Sequence, residues 1–222
     1  HTARQHCNRK GLYPLMERRV DAVVCLTKGD AENYTRAKRV EVIPNFVGTL
    51  LTPPCEGGRR CLFVGRLCPE KDPLRLVSLW KCIVARHPGW QLDICGEGEL
   101  ETEVRAEVER MGIGDSVVLH GQVSDIAGMY AKSAMLLLCS RTEGLPMVLI
   151  EAMRSGLPVV STDCPYGPAD IIRNGENGFL VPQDDDDAFV RSVSALIEDG
   201  QLRERMGRKA KDTSVRYSKH NV

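Results

Sequence analysis

Residues 140–163 read SRTEGLPMVLIEAMRSGLPVVSTD. An apolar run, Ala134 to Cys139, stands immediately before this stretch and has the length of a buried strand. The run ends in a loop at Gly144 and Pro146, and a helical pattern follows. A strand that stops in such a loop and restarts as a helix exposes unpaired backbone N–H groups at the helix N-terminus, where phosphates bind. Pro146 suits the first turn of that helix, since its missing N–H would have no partner there anyway. Gly144 and Leu145 then fall near the N-cap. Two acids, Glu143 and Glu151, stand with seven residues between them. At 100° per residue, Leu145, Val148, Leu149 and Ala152 form the buried stripe of the helix, with Glu151 on its border beside Val148. A carboxylate on such a border needs a partner. Vicinal ribose hydroxyls and a structural salt bridge both satisfy it, and helix geometry alone does not choose between them.

Outward from this stretch, short apolar runs alternate with helical patterns. The runs are Cys61 to Val64, Gln91 to Cys95, Val117 to Leu119, Ala134 to Cys139, Leu157 to Ser161 and Phe179 to Val181. Their continuous hydrophobicity is that of strands covered on both faces. Helices are expected over Pro73 to Arg86, Leu100 to Met111, Ser124 to Lys132, Pro146 to Arg154, Ala169 to Arg173 and Asp184 to Glu198. The alternation predicts an α/β fold, a Rossmann-like doubly wound parallel sheet. Ligands in such sheets bind beyond the carboxyl ends of the strands. The loops there carry Gly65 and Arg66, then Gly96 to Gly98, then His120 to Gln122, then Ser140 to Gly144.

Arg66 and Lys71 flank the first of these loops. A guanidinium offers forked hydrogen bonds and an ammonium a point charge, so together they can neutralise a diphosphate. As isolated residues they would be an ordinary solvated pair; their place at the ligand-binding edge favours the functional reading. The Gly96–Glu97–Gly98 loop is weak evidence alone, because a G-x-G after a strand often only makes a tight turn. The Thr162 to Asp170 loop (TDCPYGPAD) is rigid enough to wall a site. The acidic run Asp184 to Asp187 fits a helix N-terminus better than a metal site.

Bulk properties exclude several classes. The 222 residues carry thirty basic and thirty acidic side chains, a balance that argues against nucleic-acid binding. Nine cysteines are scattered and never spaced C-x-x-C, which fits reduced core thiols and a cytoplasmic setting rather than disulfides. With five histidines and no cluster at ligand spacing, neither a metal nor another cofactor is expected. No apolar run approaches the roughly 18 to 20 residues that cross a bilayer. The chain opens at His1 without a methionine, and a piece of a longer protein is expected.

The ordered set GRLCPEKD, CGEGEL, SRTEGLPMVLIEAMRSGLPVVST and NGENGFLV resembles the retaining GT-B glycosyltransferases of family 4, in their nucleotide-sugar-binding C-terminal domain. The resemblance runs from about Asp21 to the end. It implies that residues 1–50 are the last segment of an N-terminal GT-B domain with its linker, 51–215 the nucleotide-sugar domain, and 216–222 the start of a crossover helix. Carried onto matching positions, it implies that Arg66 and Lys71 bind the donor diphosphate and stabilise the leaving group. Glu143 would lie beside the donor sugar and Glu151 would hold the ribose hydroxyls. The backbone at Gly144 and Leu145 would contact sugar or phosphate, the loop from His120 to Val123, with Gly121 and Gln122, would lie near the base, and Gly65, Gly96 and Pro146 would also bind substrate. His1 stands where the family often has a histidine near the donor sugar, although a free chain end explains it about as well.

The resemblance further implies a metal-independent transfer of a hexose or N-acetylhexosamine, with retention, from a UDP-sugar to a glycan or lipid-linked acceptor in bacterial polysaccharide or lipopolysaccharide synthesis. UDP is suggested by bacterial relatives with a CP-x-GP loop like Cys164 to Pro168. Peripheral membrane association, at the inner face, would come from the N-terminal domain. The alternatives are a nucleotide-sugar 2-epimerase of the same fold and a nucleotide-binding fragment without activity; the Glu-x7-Glu arrangement disfavours the epimerase.

Overall fold

The computed structural model describes residues 16–48, 58–219 and 221. His1 and the expected linker position near Leu50 lie outside them. The main body is a six-stranded, all-parallel sheet with order β5-β4-β3-β6-β7-β8. Its strands are β3 (Arg60–Val64), β4 (Gln91–Cys95), β5 (Val117–Gly121), β6 (Met135–Leu138), β7 (Val159–Asp163) and β8 (Gly178–Pro182). A two-stranded parallel pair, β1 (Val23–Cys25) and β2 (Val40–Val42), precedes it, with the short helix α1 (Lys28–Ala31) between them.

Parallel neighbours require crossovers, and the helices supply them: α2 (Pro73–Arg86), α3 (Glu101–Met111), α4 (Ile126–Lys132), α5 (Met147–Arg154) and α6 (Pro168–Ile171). Then come α7 (Asp186–Glu198) and α8 (Gly200–Ser214). α2 packs against α3 and α7, and α5 packs against α8. Leu62, Leu92, Leu136 and Val160 are fully buried in the strands between them, as are Trp80, Leu149 and Phe189 in the helices. The doubly wound reading therefore holds, and the strand runs were legible because both of their faces are covered.

Helix α8 was not foreseen. Its buried stripe consists of Met206, Gly207, Ala210 and Ser214, so only one large apolar residue marks its period. The small residues are what the packing needs, because a Cβ at Gly207 would stand 2.2 Å from the Gly156 carbonyl oxygen. Helix α5 also starts one residue later than expected. Pro146 is its N-cap, with ψ 92°, and does not sit in the first turn. The buried residues of α5 are Leu149, Ile150, Ala152 and Met153, while Val148 is only half-buried. The real stripe is rotated away from the expected one, because α8 covers a side of α5 that the sequence reading left to solvent.

Burial pushes the Cys95 thiol up to about 11 and the Cys164 thiol up to about 12, and raises Cys61 and Cys139 further. These thiols are inert, small apolar fillers. No helix among the described residues is long and apolar enough to cross a membrane.

Candidate functional site

The order β5-β4-β3-β6-β7-β8 has its reversal between β3 and β6, since β4 and β5 build to one side and β7 and β8 to the other. A ligand crevice belongs at the carboxyl ends of these two strands. Two loops meet there, the one from β3 to α2 and the one from β6 to α5. Arg141 N–H donates to the Glu70 carbonyl at 2.8 Å, and the Arg141 guanidinium donates to the Asp72 carboxylate at 2.8 Å. Asp72, at φ 49°, takes the left-handed conformation as the cap of α2.

At this junction the Lys71 ammonium lies 2.6 and 2.7 Å from the two Glu143 oxygens. Ser140 Oγ donates to the same carboxylate at 2.6 Å. The Glu143 side chain is 6% exposed and that of Lys71 is 22% exposed, so the cation is held by a carboxylate almost closed off from solvent. The expectation set Lys71 on the diphosphate and Glu143 beside the sugar; the structure pairs the two side chains. An ammonium has three N–H donors, and two directed at Glu143 leave one for a ligand on the open side.

Beside this pair lies a cleft of about 390 Å³ lined by Val64, Gly65, Arg66, Cys95, Gly96, Glu97, Gln122, Val123 and Ile126. Five of the expected residues, Gly65, Arg66, Gly96, Gln122 and Val123, therefore share one wall system. The exposed Arg66 stands at the rim. Close backbone contact builds this wall. Gly65 N–H donates to the Cys95 carbonyl at 3.0 Å, and Gly96 N–H donates to the Gly121 carbonyl at 2.8 Å. Gly96 has φ 135°, and a Cβ there would stand 2.0 Å from the Gly65 oxygen. Only glycine fits.

Glu97 is a cleft residue the sequence reading passed over. Its carboxylate accepts from Gln122 N–H at 3.2 Å, and its place between two glycines after a strand was the available signal.

The remaining expected residues that the structure describes do not line the cleft. Gly144 is held from behind by Gly167, where a Cβ would stand 2.5 Å from the Gly144 oxygen. Leu145 and Pro146 are buried. Glu151, on α5, accepts a 2.9 Å hydrogen bond from the Tyr130 hydroxyl. Tyr130 stands one turn beyond the cleft residue Ile126 on α4, so the two share a helix face. Desolvation raises the Glu151 carboxyl above the ordinary carboxylate range, and the Tyr130 hydrogen bond offsets only part of that.

Chemically, the site offers a guanidinium, a held ammonium, close-packed glycine loops and a half-buried carboxylate with one oxygen outside its tyrosine hydrogen bond. That set suits a polyanion bearing a hydroxylated ring. Among the described residues no group of His, Cys, Asp and Glu could hold a metal ion.

Residues 54–213 match the family model described as glycosyl transferases group 1. The chain is 32% identical over 206 residues to an exopolysaccharide phosphotransferase of Streptomyces coelicolor, covering 90% of this chain and 22% of that protein. It is 34% identical over 169 residues to the lipopolysaccharide 1,6-galactosyltransferase of Salmonella typhimurium, covering 72% of this chain and 47% of that one. The crystal structure of S. aureus TarM superposes with a TM-score of 0.86 at 23% identity, over 91% of this chain and 42% of that one. The chain thus spans less than half the length of each of these proteins.

Proposed function

The chain belongs to the glycosyl transferases group 1 family, and on that premise we propose that its cleft binds a nucleoside diphosphate sugar, uridine-linked, as the donor half of a retaining glycosyltransferase. Within the longer polypeptide the sugar, a hexose or N-acetylhexosamine, passes to a glycan or lipid-linked acceptor of bacterial surface polysaccharide or lipopolysaccharide. The observation that carries this reading is the position of Arg66 and the Lys71–Glu143 pair at the sheet's reversal point, beside the 390 Å³ cleft.

In the reaction, the bond from the anomeric carbon to the phosphate oxygen breaks, and the departing diphosphate gains negative charge. The acceptor hydroxyl attacks on the same face, and its proton passes to the departing phosphate oxygen. No strong protein base is needed. Lys71, held by Glu143, is preorganised to stabilise the charge that develops on the diphosphate, and Arg66 adds a second cation at the rim. Glu143, by holding Lys71 through both carboxylate oxygens, fixes where that ammonium points.

Calorimetry with UDP, GDP and ADP tests the site. Binding of UDP in the micromolar range with weaker binding of the other two is expected, and no binding of any would remove the reading. A second reading comes from the similarity to the Streptomyces phosphotransferase: transfer of the sugar together with its phosphate. The two differ in the nucleotide released, UDP for glycosyl transfer and UMP for phosphosugar transfer. Identifying the nucleotide product decides between them.

The Glu151 assignment gives an expectation with two readouts. A charged acceptor of ribose hydroxyls is worth about 1.5 to 3 kcal/mol, so Glu151→Gln is expected to weaken UDP by roughly tenfold to a hundredfold while leaving 2′-deoxy-UDP little changed. Its stability should move the other way. With the folded-state pKa raised, Glu151 stabilises the fold below the unfolded carboxylate pKa, and that contribution is lost as pH rises through the folded value. Glutamine stays neutral, so the variant should melt slightly higher at pH 7 and the difference should vanish at acidic pH. Equal affinity of both proteins for UDP would sink the assignment.

A further inference from the structure

Strands β4 and β5 run in register from Leu92↔Val117 through Ile94↔Leu119, and then Cys95 faces Gly121. His120 is therefore the extra residue of a β-bulge, with no opposite number in the ladder. Bulges bend a strand and re-aim the residues beyond them, and they recur beside functional sites. Here the chain turns at once through Gly121, φ 62°, whose carbonyl receives Gly96 N–H, and on into Gln122 and Val123 on the cleft wall.

The bulged side chain is tied down from below. His120 Nε2 lies 2.7 Å from Asp93 Oδ1 on β4. Asp93 is 1% exposed, and an Arg60 guanidinium nitrogen on β3 lies 2.7 Å from each of its carboxylate oxygens. Three adjacent strands are thus cross-linked through one buried carboxylate. Arg60 fixes Asp93, Asp93 fixes the imidazole, and the imidazole fixes the one residue of β5 that the ladder does not hold. A buried carboxylate tolerates loss of a partner poorly, so the cluster resists rearrangement.

We propose that Arg60, Asp93 and His120 form a positioning cluster that sets the height of the Gly121–Val123 edge against the bound nucleobase, and so governs affinity and base preference without touching the reacting atoms. The proposal rests on the reading of the cleft as a nucleotide site. His120 is a positioning residue, and its expected signature is a change in binding rather than in turnover.

The test uses the full-length protein, with UDP, GDP and ADP titrated by calorimetry and steady-state kinetics measured on the donor sugar. His120→Leu is expected to raise the Kd for UDP and the KM for donor about tenfold, in keeping with the penalty for a modest displacement of a binding edge. It should also narrow the preference among the three nucleotides while kcat stays within about twofold. His120→Gln, whose amide nitrogen can stand where Nε2 stands and donate to Asp93, is expected to recover most of the affinity. His120→Asn, whose nitrogen stands at the Nδ1 position, is not.

A folded His120→Leu with wild-type Kd and wild-type preference would overturn the proposal. Should the leucine variant not fold, the glutamine and asparagine pair decides, and equal affinities for the two would overturn it as well. Failure of the wild-type protein to bind any of the three nucleotides would overturn the reading of the cleft itself, a result distinct from an unresponsive His120.

Discussion

Replacing Lys71 by alanine in the full-length protein should lower turnover about a hundredfold to a thousandfold, the size of effect seen when a preorganised charge or donor is removed from a developing anion. The structure explains why Lys71 should matter more than Arg66. Its ammonium is held by both oxygens of Glu143, which is further oriented by Ser140, so it needs little reorganisation as charge moves onto the diphosphate. Arg66 is exposed at the cleft rim, shares its charge with solvent, and should lose roughly tenfold on replacement. The loss at Lys71 should fall on kcat more than on KM, because charge on the leaving group is greatest in the transition state. Alanine at 71 also leaves the buried Glu143 carboxylate with the Ser140 hydroxyl but no cation, so the melting temperature should be measured beside the kinetics. Adding Glu143→Gln to Lys71→Ala should restore stability without restoring turnover. Unchanged turnover in Lys71→Ala would remove the leaving-group assignment.

Gly96→Ala should destabilise the fold by about 3 kcal/mol or more and abolish nucleotide binding. A backbone at φ 135° is a region that side chains rarely adopt, at roughly 1 to 3 kcal/mol. The new methyl would also meet the Gly65 carbonyl carbon at 2.9 Å and its oxygen at 2.0 Å, a clash with main chain rather than with a movable side-chain tip. The β3 and β4 loops must then separate, and both line the cleft. Gly114→Ala is the control, since a Cβ there meets nothing within 4 Å and its effect should be small. Denaturant melts of the two variants with UDP calorimetry check this, and a Gly96→Ala protein as stable as the control would contradict the account of the wall.

Strand existence was legible because runs such as Cys61 to Val64 and Ala134 to Cys139 are apolar without interruption, the mark of a sheet covered on both faces. The loops at their carboxyl ends followed from the same reading. Pairing across the sheet was not legible. Lys71 and Glu143 are 72 positions apart, and only the strand order that puts β3 beside β6 brings them into contact. Glu97 and Tyr130 escaped for a related reason: each acts through a partner on another element. The bulge at His120 left no mark either, because HGQV reads as an ordinary strand end until the ladder on β4 is seen to skip a residue. Helix α8 stayed hidden because its packing face is built from small residues, which carry little hydropathy.

The contact behind Gly144 has a mechanical side. Asn33 donates to the Tyr166 hydroxyl at 2.8 Å, and Lys28 N–H donates to the Asp170 carboxylate at 3.3 Å, which anchors the segment around α1 to α6 and to the loop between β7 and α6. That same loop presses Gly167 against Gly144 and Pro146 with no room for a methyl group, and the Pro165 carbonyl accepts from Glu143 N–H at 3.3 Å. Tyr166, at φ 64°, sits in the middle as a stiff link. The packing leaves no free play, so the position of residues 28–33 is tied to the backbone of Glu143 and Gly144 and, through it, to the carboxylate that holds Lys71.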